Sequence, residues 1–181
     1  TEPYVFNRNL SFIYGINYSE FDYGTSSSYD LTNFSTKTGF KYLLSEDLDH
    51  MIILEYSLKD YTITNSSTAS SDIKNLAGGN AYIYLKNSFI YNNLNSFLRP
   101  TNGTYLNFHT SFSPITDSDN GSILNILTHR KYFKYDSNIF SIQSKIGNIF
   151  SLQDDTIPSD EKFSLGGRWL RGFDSFGAGP R

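Results

Sequence analysis

The feature that most constrains this chain is an alternation. Seven runs of roughly 9 to 12 residues follow one another with turn chemistry between them, and in six of them apolar side chains recur at alternate positions. In the first run Leu10, Phe12, Tyr14, Ile16 and Tyr18 share a face opposite Ser11, Ile13, Gly15, Asn17 and Ser19. The second sets Phe34, Phe40 and Tyr42 against Ser35, Lys37, Gly39 and Lys41, and the third sets Ile52, Leu54, Tyr56 and Leu58 against Met51, Ile53, Glu55, Ser57 and Lys59. The fourth aligns Ile83, Leu85, Phe89 and Tyr91 opposite Tyr82, Tyr84, Lys86 and Ser88, and the fifth aligns Leu106, Phe108 and Phe112 opposite Asn107, His109 and Ser111. The seventh places Phe140, Ile142 and Ile146 against Ser141, Gln143, Lys145 and Gly147, whereas the sixth, 122–133, alternates poorly and its facing stays open. No i, i+3, i+4 period extends over three turns, so the expectation is an all-β antiparallel meander of about seven strands without a clear helix.

Run length separates two kinds of β protein. Soluble strands average about 5 to 6 residues, whereas a tilted strand crossing a bilayer needs about 9 to 11. The second faces carry Asn, Ser, Gln, Lys and Gly, as a water-filled lumen would, and Tyr18, Tyr42, Tyr91, Phe112 and Phe133 fall near run ends, where an interfacial aromatic girdle belongs. Composition agrees: 17% aromatic residues, only 18% charged, and much Ser, Asn and Thr. Outer-membrane barrels alternate long external loops with short periplasmic turns. Here 20–32 and 64–80 are long, 44–49 and 134–138 are short, and 92–103 and 114–121 are of middling length. The pattern favours a transmembrane β-barrel over its alternative, a soluble β-sandwich or barrel with wide loops.

Other function classes find little support. A net charge of −3 gives no reason to expect nucleic acid. With no cysteine there is neither a disulfide framework nor thiol chemistry, and no apolar run approaches the eighteen residues of a spanning helix. The start, Thr1-Glu-Pro-Tyr-Val-Phe, lacks the order of a signal peptide and reads as part of a longer or processed protein. His50, His109 and His129 have no ligand-like spacing, so no metal or cofactor is expected. Asp154, Asp155, Asp160 and Glu161 read as a solvated acidic face before a calcium site. No nucleophile elbow, P-loop or dinucleotide fingerprint is present, so no enzymatic activity is expected.

The final eighteen residues, SLGGRWLRGFDSFGAGPR, hold five of the thirteen glycines and the only tryptophan. Phe163-Ser-Leu-Gly-Gly, then Leu170-Arg-Gly-Phe173, then Gly179-Pro-Arg181 resembles the conserved loop of the BamA-type outer-membrane assembly proteins, in the bacterial surface antigen superfamily. That motif runs aromatic, Gly-Gly, a short spacer, Val/Leu-Arg-Gly-Phe/Tyr, then Gly-Pro-Arg/Lys. Upstream, Thr1-Glu-Pro-Tyr and Asn7-Arg-Asn-Leu-Ser resemble the lead into a mid-barrel strand of this family, and Arg99-Pro-Thr-Asn-Gly-Thr-Tyr105 resembles its Pro-Thr-x-Gly periplasmic turn.

The resemblance implies a barrel of about sixteen strands, of which residues 1–150 form seven, the fifth to the eleventh. It makes 151–181 a long external loop that folds back into the lumen. Its functional residues are Arg171, Gly172, Phe173, Gly166, Gly167, Gly179, Pro180 and Arg181. Arg171 would pair with carboxylates on later strands, Phe173 would anchor the tip, and Gly166, Gly167 and Gly179 would turn the backbone through positive φ. Arg168 and Trp169 fall in the loose spacer and read as loop packing. The implied function is folding and insertion of other β-barrel proteins in the bacterial outer membrane. Its partners are membrane lipid, unfolded client proteins, periplasmic POTRA domains and assembly lipoproteins. A TamA-like assembly factor or a two-partner-secretion transporter is the alternative within the superfamily, and a passive porin-like barrel the alternative outside it.

Overall fold

The computed structural model describes residues 9–24, 28–116, 121–152, 157, 161–163, 166 and 172. Its strands are β1 (Leu10–Asp22), β2 (Tyr29–Ser45), β3 (Leu48–Ile63), β4 (Gly78–Asn92), β5 (Gly103–Thr116), β6 (Ser122–Tyr135) and β7 (Asn138–Ser151), in one antiparallel sheet ordered as in the chain. The strands run 13 to 17 residues. They outlast the apolar runs because pairing continues into polar residues such as Glu20, Asp22 and Asp30, where Glu20 stands opposite Thr32 and Asp22 opposite Asp30. Beyond the hydrocarbon water could satisfy these backbone groups, but the partner strand is already held alongside and the ladder simply continues.

The sheet is inside-out. Its polar face is sheltered, with Ser57, Ser88, Ser111, Ser113 and Ser122 buried and Tyr82 fully so. Its apolar face is bare: Ile16 is 77% exposed, Ile146 69% and Phe150 56%. A water-soluble domain reverses this arrangement. A barrel wall between lipid outside and a lumen inside requires it. The register also settles the sixth run. Ile123 faces outward with Phe112 and Phe150, while Leu124 faces inward between Ser111 and Ile149. Leu124 and Ile126 are apolar on the lumen side, which is why no clean alternation was visible there.

Two irregularities bend the ladder. Ile83 pairs with Ile115 but Leu85 with Phe112, so Tyr84 faces two residues of β5, Ser113 and Pro114. Proline has no N–H to give a ladder and suits such a bulge, and Ser113 Oγ donates to the Ile83 carbonyl at 3.1 Å. At the β2–β3 turn the register slips past Leu44.

The hairpins β2–β3, β4–β5 and β6–β7 turn at one end, the other three at the opposite end. The first and third of these turns need two residues each, Glu46-Asp47 and Asp136-Ser137. The middle one, 93–102, is longer than the 117–121 connector at the loop end, so loop length alternates imperfectly. It is nevertheless tightly built. Asn95 Oδ1 accepts from the backbone N–H groups of Thr101 and Asn102, at 3.0 Å each, and Asn95 Nδ2 donates to Thr101 Oγ1 at 2.7 Å. Phe97 and Leu98 stand exposed at its tip. Gly103 closes it with φ 115°, where a Cβ would lie 2.4 Å from the Asn93 carbonyl oxygen. Gly103→Ala therefore combines a disfavoured φ with a backbone clash. We expect it to cost the complete barrel about 1–3 kcal/mol, read as a lower urea midpoint in detergent.

At the opposite end the 64–77 loop carries one short helix, α1 (Ser71–Asn75), too brief to leave a helical period in the sequence. Ile73 and Leu76 pack against Tyr29 and Tyr61, with Tyr23, Leu31 and Ile63 around them. Tyr61 lies on the same face as Ser57 and Lys59, so the loop leans over the mouth of the inner face. Ser28 Oγ to Thr68 Oγ1 (2.5 Å) and Asn80 Nδ2 to the Leu76 carbonyl (2.8 Å) pin it there.

Candidate functional site

Strand alternation delivers to the inner face a set of paired, hydrogen-bonding side chains. Lys86 bridges to Glu55 and Lys41 to Asp49, each at 2.8 Å. Lys59 sits 4.5 Å above the Tyr82 ring, Ser88 pairs with His109 Nδ1 at 2.8 Å, and Ser57 donates to Asn33 at 2.7 Å. Partly desolvated charges hold their place when paired, so this face is a firm polar wall.

The chain returns onto that wall after β7. Leu152 N–H donates to the Gly121 carbonyl at 2.8 Å, ending the strand. Further on, the Glu161 carboxylate accepts from Ser122 Oγ at 2.5 Å and from the Tyr84 hydroxyl at 3.3 Å. Glu161 is thus no solvated acid, as its sequence context suggested, but a clasp between the segment and strands β4 and β6. Two residues later Phe163 lies on Gly147 of β7, where a Cβ would come within 2.5 Å of Phe163 Cζ. The missing side chain at 147 is the seat for the ring. Beyond Phe163, Gly166 is buried with φ 138° and Gly172 is exposed with φ 91°. Gly167, Arg171, Phe173, Gly179, Pro180 and Arg181 lie outside the described residues, as do Asp154, Asp155 and Asp160. The sequence placed Glu161 on a solvated acidic face and gave Gly147 no role beyond the polar side of the seventh run; the available signal was a glycine on the inward side of β7 paired with an aromatic just ahead of Gly-Gly.

The three histidines are not brought together. His109 faces the lumen, His50 faces outward between the Tyr42 hydroxyl and Asn87, and His129 meets Ser144. Chemically, the arrangement holds a length of polypeptide against a polar wall.

A family model described as the Omp85 superfamily domain matches residues 1–181. The chain belongs to the Omp85 superfamily. The fold has a solved counterpart in BamA from Haemophilus ducreyi lacking POTRA domains 1–3, with TM-score 0.83 and 20% identity over 99% of this chain. This chain spans 37% of that protein. No curated protein sequence matches it. As an Omp85 barrel segment it resides in the bacterial outer membrane, with the bare apolar face toward lipid and the polar face toward the lumen. The superfamily inserts or transports proteins and is not enzymatic.

Proposed function

We propose that this Omp85 chain is the middle wall of a BamA-like barrel, its fifth to eleventh strands, within a factor that folds and inserts β-barrel proteins. The observation that carries the reading is the chain after β7 clasped to the inner face through Glu161 and Phe163, directly ahead of the Leu170-Arg-Gly-Phe173 motif. A passive pore gives no reason for the Leu170-Arg-Gly-Phe173 motif at that place. On this reading residues 1–150 supply wall and 151–181 supply the loop. The loop's Gly166, Gly167 and Gly179 turn it into the lumen and Pro180 stiffens its exit beside Arg181. Arg171 forms charge-assisted bonds with carboxylates on strands beyond this chain, and Phe173 anchors beside it.

No covalent chemistry is needed. The working edge belongs to the first and last strands of the full barrel, where a client strand adds by main-chain hydrogen bonding. The section in hand keeps the barrel's shape while that seam opens. Clients, POTRA domains and assembly lipoproteins act on the whole protein. The test is Arg171→Ala in the complete protein, with insertion of a reporter barrel and heat-modifiable mobility as readouts. Losing one charged hydrogen-bonded pair inside the lumen should cost about 2–5 kcal/mol and slow reporter insertion at least ten-fold. Normal barrel stability together with normal insertion would overturn the role given to Arg171.

A further inference from the structure

One lysine of the inner wall is left over. Lys41 bridges to Asp49, Lys86 to Glu55, and Lys59 lies over the Tyr82 ring. Lys37 has no hydrogen bond or ion pair among the described residues. Register sets it between Gly15 of β1 and Glu55 of β3, so Glu55 is its direct cross-strand neighbour. Glu55 is taken by Lys86, however, and the Lys37 stem turns the other way. A Cβ on Gly15 would lie 3.0 Å from Lys37 Cε and 3.5 Å from its Cγ, so the stem is laid across the glycine. A side chain at position 15 would fill that path.

The far edge of β1, toward which the stem leans, is paired by no described strand. A wall in hydrocarbon leaves no edge open, so in the complete Omp85 barrel another strand flanks β1 there. The inner-face residues of that strand stand two strand spacings from Lys37, about 9.6 Å. A lysine and a carboxylate side chain together span this distance when the strand between them carries a glycine. The carboxylates on the inner face among the described residues are Asp49, Glu55 and Glu161, and each is already engaged. Lys37 borders an open cavity of about 520 Å³ whose other polar linings are Asn17, Asn33, Ser35 and the bridged Glu55. A counter-charge for this ammonium therefore has to come from outside the described residues, and the direction of the stem says from where.

We infer that Lys37 reaches over Gly15 to an Asp or Glu on the inner face of the strand that flanks β1, and that this pair locks the register between that strand and the wall. A slip of one residue would turn the carboxylate to the lipid face, and a slip of two would carry it about 6.8 Å along the strand, out of reach. The inference needs only a barrel that continues past β1, and it holds whichever Omp85 protein the wall belongs to.

Carbodiimide joins an amine to a carboxylate only where the two touch, and the Lys41–Asp49 bridge supplies an internal standard. On the complete protein in outer membranes, peptide mapping should find Lys37 joined to the flanking strand, at a yield within about three-fold of that standard. Gly15→Val keeps both charges and suits a strand, but it blocks the path and should lower the yield about five-fold. Lys37→Glu should lower the urea midpoint in detergent, and exchanging the partner carboxylate for lysine in the same protein should restore it. Heat-modifiable mobility verifies that each variant is a folded barrel, and the wild-type coupling decides even where a variant is not. A folded barrel in which Lys41 is joined and Lys37 is not, because lumen water alone meets it, overturns the inference. So does Lys37 joined to any other segment, a yield that Gly15→Val leaves unchanged, or a charge exchange that restores nothing.

Discussion

Replacing Gly147 with valine is expected to release the chain that returns into the lumen while leaving the wall intact. A Cβ at 147 would lie 2.5 Å from Phe163 Cζ and 2.9 Å from Cε1, and valine adds two further carbons there. The ring must leave its seat, because the strand backbone behind it is fixed by pairing to β6. Phe163 is 49% exposed in place, so its burial contributes about half that of a core phenylalanine, roughly 1–2 kcal/mol. Valine itself suits a strand. The expected outcome is about a ten-fold rise in proteolytic cleavage between 157 and 166, with unchanged heat-modifiable mobility of the complete barrel. Phe163→Ala should give a similar rise, and the double variant should be no worse than either single one, since both act on the same contact. Strictly additive effects would show that the ring is seated elsewhere.

The second large effect is expected at Glu161. Its two oxygens accept from Ser122 Oγ and the Tyr84 hydroxyl, and Ser122 is only 3% exposed. Hydrogen bonds to a charged group contribute about 1.5–3 kcal/mol, and a buried hydroxyl left without its acceptor adds a penalty. Glu161→Ala should therefore detach the segment at this point and weaken the complete barrel by about 2–3 kcal/mol. Glu161→Gln, which keeps one carbonyl acceptor, should lose roughly half as much. Urea unfolding of the detergent-solubilised barrel reads both, and a cycle with Ser122→Ala isolates the shorter bond. Equal stabilities for wild type, Gln and Ala would remove Glu161 from the clasp.

Much of the wall was legible because period-two patterning is local. Leu10 to Tyr18 or Met51 to Lys59 declare their faces without reference to any other strand. Strand ends were not legible, since Glu20, Asp22 and Asp30 pair on through residues that look like loop. The facing of β6 was hidden by Leu124 and Ile126, whose inward position depends on register with β5 and β7. The returning segment was legible as a motif but not as contacts. Glu161 meets residues 77 and 39 positions earlier, and nothing short of the folded sheet brings those together. Asn87, Thr110, Asn125 and Asn148 are the extreme case: one polar residue in each of four strands, they become a single outward row only when register lines them up.

Strand order has a consequence for how such a wall comes into being. Among the described residues every strand pairing joins neighbours in the chain, from β1–β2 through β6–β7, with no crossover. Each added strand needs only the edge left by its predecessor and the closure of one connector, so the entropic toll is levied in small instalments. Growth can proceed like a zipper from a tight hairpin such as β2–β3 or β6–β7, each step consuming one free edge and creating the next. A nascent wall is therefore always one strand from being extendable. Edge-templated addition, the operation proposed for the mature barrel, is also the simplest route by which its own wall could have been laid down.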